Sequence, residues 1–277
     1  MRPLVAAAAE RLRAAGVASP EHDARALLAH ALGVELSRLP LVETVGPEER
    51  ARFEALVARR EAREPLQHLT GTTGFRRVEL RVGPGVFVPR PETELLAGWA
   101  IAAALERPDP VVVDLCTGSG AIARSLADEA PHARVHAVEL DPAAHRWAEI
   151  NLAPTEVDLR EGDFAVAFDD LLGQVDVVVC NPPYVPLDAW ESVAPEARDH
   201  DPHLALFSGD DGLDAIRLLA KRASRLLRPG GVVGVEHADV QGDSVPAVFA
   251  ALERWIDVRD HRDLAGRARF TTARLAP

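Results

Sequence analysis

Apolar positions in the first 70 residues recur at helical spacing. Val5, Ala8, Ala9 and Leu12 share one face of a predicted helix; Ala24, Leu27, Leu28 and Leu32 share one face of a second, which stops at Gly33. Ser19-Pro20-Glu21 gives the second helix an N-cap and a proline at its first position. Phe53, Leu56 and Val57 mark a third, begun after Gly46-Pro47. Together they predict a small helical bundle. From residue 75 the period becomes two. Val78, Leu80 and Val82 alternate with Arg77, Glu79 and Arg81, Gly83-Pro84-Gly85 makes a turn, and Val86, Phe87 and Val88 return. That pattern predicts a β-hairpin closed by Pro89 and Pro91, followed by a helix over 93–105.

Beyond residue 109, buried strands alternate with amphipathic helices. Strands are expected over 111–113, 135–140, 175–180 and 232–236, and helices over 121–127, 143–152 and 213–227. Strand–helix alternation at this spacing predicts a parallel sheet with helices on both faces, an α/β fold of Rossmann-like type. The expected organisation is a helical recognition domain over 1–74, a hairpin linker over 75–90 and a catalytic domain over 91–277.

Composition narrows the class. A length of 277 residues fits about two domains. The longest apolar stretch, about eleven residues over 95–105, is too short for a membrane span, and the N-terminus has no signal-peptide pattern. Cys116 and Cys180 are the only cysteines, which excludes a disulfide scaffold, and no histidine spacing suggests a metal. A cytoplasmic enzyme, monomeric and without a metal, is expected. The net charge is −12, and all of it lies beyond residue 75. A surface of that sign repels nucleic acid, whose binding depends on Lys and Arg neutralising phosphates.

Three motifs carry chemistry. Asp114-Leu115-Cys116-Thr117-Gly118-Ser119-Gly120 follows a buried strand and opens a helix, so its glycines let backbone approach a ligand. Glu139 ends the next strand, where a carboxylate can accept from both ribose hydroxyls of a nucleoside. The first glycine of a dinucleotide fingerprint is replaced by Cys116, and no phosphate loop exists. A nucleoside cofactor without pyrophosphate fits better, which points to S-adenosyl-L-methionine. Gly162-Asp163-Phe164 is placed to meet the adenine, Asp163 accepting from its amino group and Phe164 lying against the ring.

Asn181-Pro182-Pro183-Tyr184 follows the strand over 175–180, at the sheet edge where ligands bind. A planar amide or aromatic amine is a poor nucleophile because its nitrogen lone pair is delocalised. The Asn181 side-chain oxygen and the Pro182 carbonyl can fix its two N–H groups, with Pro182 and Pro183 holding that carbonyl's aim. Tyr184, the only tyrosine, can stack on the planar group, and Asn181 also borders the cofactor. Such positioning needs no catalytic base.

With these motifs in order, the chain resembles the peptide chain release factor glutamine methyltransferases of the HemK/PrmC type. Glu64-Pro65-Leu66-Gln67-His68-Leu69-Thr70-Gly71 and Phe87-Val88-Pro89-Arg90-Pro91-Glu92-Thr93-Glu94 are similar to that family's end-of-bundle and linker motifs. Ala205 to Gly209, Asp211-Gly212-Leu213, Pro229-Gly230-Gly231 and the tail from Asp263 to Phe270 follow in the same order. The resemblance implies a seven-stranded class I methyltransferase domain behind a helical domain. It implies N5-methylation, from S-adenosyl-L-methionine, of the glutamine in the Gly-Gly-Gln motif of class I release factors. It further implies that Asn181, Pro182, Pro183, Tyr184 and Phe87 surround the glutamine, and that residues 116–120, Glu139 and Phe164 line the cofactor. The rival reading is an amino methyltransferase of the adenine N6 type, which the acidic surface disfavours.

Three local expectations complete the reading. Cys116, where glycine is common, implies a turn that does not depend on positive φ. Glu236-His237, where the family is more apolar, reads as an exposed polar pair. Residues 187–214 hold eight acids against one base, Arg198, and so suggest a field that steers a basic protein loop toward the site.

Overall fold

The computed structural model describes residues 1–277. In chain order the first elements are helices α1 (Arg2–Ala14), α2 (Pro20–Leu32), α3 (Pro47–Glu61) and α4 (Leu66–Thr70), then strands β1 (Thr72–Phe75) and β2 (Val78–Arg81). Next come α5 (Thr93–Leu105), β3 (Val111–Leu115), α6 (Ala121–Glu129), β4 (Arg134–Glu139), α7 (Pro142–Leu152), β5 (Asp158–Glu161) and β6 (Val175–Cys180). The chain ends with α8 (Pro195–His200), α9 (Asp214–Leu226), β7 (Leu227–Glu236), α10 (Ser244–Ala250), β8 (Trp255–Arg262) and β9 (Ala268–Leu275). They form two compact units. One comprises Met1–Thr72, Val82–Pro84 and Ala194–His200; the other comprises Thr73–Arg81, Gly85–Val193 and Asp201–Pro277.

The first unit is the expected bundle. Leu12, Leu27, Leu28, Phe53 and Val57 are fully buried at its centre. Gly33 ends α2 in the left-handed region, φ 66°. Ser19 takes the N-cap position of α2, but its side chain makes no capping bond. Helix α8 joins this unit through charge. Arg63 holds Glu196 bidentately at 2.9 and 2.6 Å, and Arg60 reaches Glu196 at 3.0 Å and Asp23 at 2.8 Å. Arg60 is buried, so each of its donors needs such a partner.

The second unit is built on a seven-stranded sheet of order β5-β4-β3-β6-β7-β9-β8. All its pairs are parallel except those of β9 with β7 and β8. Strand alternation assigns Val111, Val113 and Leu115 to a core with α9 and α10, and Val112, Val177 and Val179 to a core with α5, α6 and α7. Trp99 of α5 lies where a side chain on Gly234 of β7 would stand, so the glycine admits the helix against the sheet.

The linker corrects one expectation. The two-stranded sheet pairs β1 with β2 around Arg76 and Arg77, and residues 86–88 form no strand. Arg76 takes φ 50° and is fixed there: its guanidinium clasps Glu129 at 2.6 and 2.8 Å, and its backbone N–H donates to Glu94 at 3.1 Å. Pro84 and Pro89 flank the failed return strand and lack the N–H a ladder needs.

Candidate active site

Strand order reverses between β3 and β6, because β4 and β5 lie to one side and β7 to the other. Ligand crevices open at the carboxyl ends of such strands. The glycine turn, Glu139 and Asn181 all stand at those ends.

The turn is held from several sides. The Thr117 N–H donates to the Val138 carbonyl at 3.0 Å, and its hydroxyl donates to Asp114 at 2.6 Å. Asp114 is fully buried, which pushes its carboxyl up to about 7. Glu139 accepts from the N–H of Gly118 at 2.8 Å with one oxygen and from that of Asp141 at 2.9 Å with the other. Burial pushes the Glu139 carboxyl up while these N–H groups pull it down. Each oxygen keeps a lone pair for a further donor. Gly118, φ 59°, has open space where a side chain would project; Gly120, φ 83°, instead faces Leu152. Cys116 corrects the expectation for this turn, since it takes φ 67° with a side chain present. A residue other than glycine in that region stores strain, and here it lies within the candidate ligand loop. Both cysteines are free thiols, and burial pushes that of Cys180 up.

Cys116, Phe164 and Tyr184 all pack, partly buried, against the same core. Asp163 is exposed, with one carboxylate oxygen accepting the Ala165 N–H at 2.8 Å. Ser119 is fixed by a residue that no motif marks. Asn151 of α7 donates to the Ser119 carbonyl and the Arg81 carbonyl at 2.9 Å each, and accepts the Arg81 N–H at 2.8 Å.

The Asn181 side chain donates through Nδ2 to the Thr93 hydroxyl at 3.3 Å, which leaves Oδ1 without a donor from the chain. Pro182 is buried, and no backbone N–H engages its carbonyl. Two acceptors on adjacent residues are therefore free for a ligand's N–H groups. The Tyr184 hydroxyl donates to Glu236 Oε1 at 3.4 Å, and the other oxygen of that buried carboxylate has no hydrogen-bond partner. Burial, ahead of the Glu236 charge, pushes the Tyr184 phenol up. Thr93 and Glu236 are the other functional residues that sequence reading missed. The expected exposed pair at Glu236-His237 is in fact buried, at 1% and 0% exposure. His237 is satisfied by the Ala238 carbonyl, Thr271 and Asp260.

The Arg90 guanidinium lies 4.9 Å from the Phe87 ring centroid and donates to Asp201 at 2.7 Å. It is within electrostatic reach of Tyr184. Arg90 thereby braces Phe87 against Asp201, a contact the sequence left open. Glu92 meets Arg267 only at 3.6 Å. The expected acidic field shrinks. Glu196, Asp199, Asp201, Asp211 and Asp214 are paired with Arg63, Arg198, Arg90 and, for the last two, Arg217. Asp188, Glu191 and Asp210 remain exposed without an ion pair.

Residues 4–71 match the family described as PrmC N-terminal domain, and residues 84–195 the family described as methyltransferase small domain. A release factor glutamine methyltransferase of Streptomyces coelicolor is 60% identical over 274 residues, 98% of this chain and 97% of its own. A 4-amino-L-phenylalanine/4-methylamino-L-phenylalanine methyltransferase of Streptomyces pristinaespiralis is 45% identical over 240 residues, covering 84% of this chain and 80% of its own. A solved methyltransferase from Pyrococcus furiosus shares the fold, with a TM-score of 0.51 at 18% identity over 80% of this chain and 96% of that one.

Proposed function

The chain belongs to the release factor glutamine methyltransferase family, and from that premise we infer its reaction and the residues that perform it. It transfers a methyl group from S-adenosyl-L-methionine to the side-chain amide nitrogen, N5, of the glutamine in the Gly-Gly-Gln motif of class I release factors. The observation that carries the site assignment is the free acceptor pair, Asn181 Oδ1 and the Pro182 carbonyl.

The residues present fit the cofactor. Gly118 leaves a cradle that a side chain would fill, and the Glu139 lone pairs suit a ribose diol. Cys116, Thr117, Gly118, Ser119, Gly120, Glu139, Asp163 and Phe164 would hold it, with Asn181 at its border. When bound, it supplies an electrophilic sulfonium methyl. Asn181 and Pro182 accept the two amide N–H groups and turn the nitrogen toward that methyl, in near-attack geometry of about 3–3.5 Å. Pro183 stiffens the loop, and Tyr184 and Phe87 pack on the planar group. The nitrogen becomes acidic once methylated, and its proton leaves to a neighbouring carbonyl or water, so no base of low pKa is required. Transfer also removes positive charge from the site, which the half-buried, largely apolar walls favour.

The same acceptors would hold a primary aromatic amine. The glutamine reading is preferred because the release factor relative matches at higher identity and over nearly the whole chain. No helix is long and apolar enough to cross a membrane. We take the enzyme to act in the cytoplasm, as a monomer and on protein rather than nucleic acid. The test is transfer of labelled methyl to a purified release factor and to a copy with its Gly-Gly-Gln glutamine replaced by alanine. Label on the first alone is expected; label on nucleic acid or free amine instead would contradict the reading.

A further inference from the structure

The loops after β6 and β7 leave the sheet side by side, since Cys180 pairs with Val235. Gln241, buried just past the end of β7, thereby meets Tyr184 just past the end of β6. Its Nε2 donates to the Tyr184 carbonyl at 3.1 Å and to the Asp211 carbonyl at 3.4 Å, while its Oε1 accepts the Ala238 N–H at 2.9 Å. The Gln241 N–H returns a bond of 2.9 Å to the Ala238 carbonyl. We propose that Gln241 is a positioning residue for methyl transfer: through the Tyr184 carbonyl it sets where the tyrosine ring stands against the substrate amide. This rests on the reading above and deepens it.

Donors and acceptors fix the orientation of the Gln241 amide. The Ala238 N–H can only donate, so it takes Oε1; the two carbonyls can only accept, so they take Nε2. The reciprocal pair with Ala238 holds the side chain in place before any substrate arrives. Gly212 admits the amide, because a Cβ there would stand 2.9 Å from Nε2. The substrate loop depends on such a tie. Pro182 and Pro183 have no N–H, so neither can be anchored by donation. Their place is inherited from β6 before them and from Tyr184 after them. The Tyr184 N–H donates to the Leu206 carbonyl at 3.1 Å, and that of Val185 to the same carbonyl at 2.8 Å. Those bonds fix one edge of the chain, and Gln241 fixes the other, at the Tyr184 carbonyl. With both its backbone groups tied, the Cα–Cβ bond that aims the ring is set. The hydroxyl meets Glu236 only at 3.4 Å, too long a bond to hold the ring by itself.

The test compares the wild type with Gln241→Met, which keeps the length of the side chain and removes its donor. Tyr184 is the only tyrosine, so 13C-labelled tyrosine gives a single carbonyl signal and a single set of ring signals. Both should shift in Gln241→Met with no substrate present. The kcat for transfer to the release factor should fall by about 10–100-fold while KM changes by less than about threefold, because the ring acts on alignment in the bound state. Calorimetric affinity for S-adenosyl-L-methionine should stay within about twofold of wild type, which separates the effect from misfolding. Val240→Ala, one residue away and exposed, should match the wild type in every readout. If methionine crowds the site and cofactor binding is lost, Gln241→Ala takes its place with the same expectations. Unmoved ring signals, or a kcat within about twofold of wild type, would overturn the proposal. Moved tyrosine signals beside a wild type that does not label the release factor would sink the substrate reading alone, and the hold of Gln241 on Tyr184 would stand.

Discussion

Replacing Gly212 with alanine should disable the enzyme through Tyr184 rather than through the cofactor. Gly212 takes φ 73°, and a Cβ there would stand 2.3 Å from the Tyr184 carbonyl oxygen and 2.9 Å from Gln241 Nε2. The left-handed backbone alone costs an alanine about 1–2 kcal/mol. Ordinary contact then requires the Tyr184 carbonyl to retreat by roughly 1 Å, which also breaks its 3.1 Å bond from Gln241, worth about 1 kcal/mol. The summed loss is about 2–3 kcal/mol of unfolding free energy. A 1 Å displacement of a positioning group costs on the order of 100-fold in rate. Gly230→Ala is the control, because Gly230 has nearly the same φ, 74°, with open space around its Cβ. Urea unfolding and initial rates of methyl transfer decide the matter. Gly230→Ala should lose about 1–2 kcal/mol and keep its kcat/KM. Should Gly212→Ala keep a kcat/KM within twofold of that control, the reasoning fails.

Three further outcomes are expected. Glu139→Gln sets an amide donor against the N–H of Gly118 or Asp141, and should weaken S-adenosyl-L-methionine binding by about 10–100-fold in calorimetry. Burial works to raise the Glu196 carboxyl, but Arg63 and Arg60 outweigh it and hold it low. Glu196 thus contributes stability above the usual glutamate range that is lost as pH falls. Glu196→Gln should be about 2–4 kcal/mol less stable than wild type at pH 7, and urea curves should show the gap closing below pH 5. Asp114 is opposite in sign. Its raised carboxyl means the folded chain holds the extra proton, so its contribution declines as pH rises from 3.8 to about 7. Asp114→Asn should therefore gain on the wild type across that window, by up to about 4 kcal/mol, and show no gain at pH 4. A gain independent of pH would contradict it.

What was legible in the sequence follows from range. Strands 111–115 and 175–180 announced themselves by unbroken runs of apolar, largely β-branched residues, and the glycine turn and Asn181 to Tyr184 by residue types that few other settings require. The residues that aim them were hidden because their partners are distant in sequence. Thr93 meets Asn181 across 88 positions and Asn151 meets Arg81 across 70. The acidic stretch misled for the same reason, since Arg60, Arg63 and Arg90 neutralise it from more than 100 residues away. Cys116 misled differently. Positive φ at a residue with a side chain is imposed by surrounding structure, here by Thr117 and Gly118 bound to β4 and its terminal Glu139, and leaves no mark in composition. Glu236 looked exposed because a charged residue ending a strand usually is; it is buried, and its hydroxyl partner Tyr184 lies on the loop after β6.

The central claim is that Asn181 holds the glutamine amide in line for transfer. It is tested most directly by Asn181→Ala, with mass spectrometry of the release factor peptide containing Gly-Gly-Gln and with calorimetric cofactor binding on the same preparation. The account predicts one added methyl on that glutamine from the wild-type enzyme. It predicts a rate lower by about 100–1,000-fold from the variant, with cofactor affinity changed by less than about tenfold. A variant that methylates the same glutamine at the wild-type rate would contradict it.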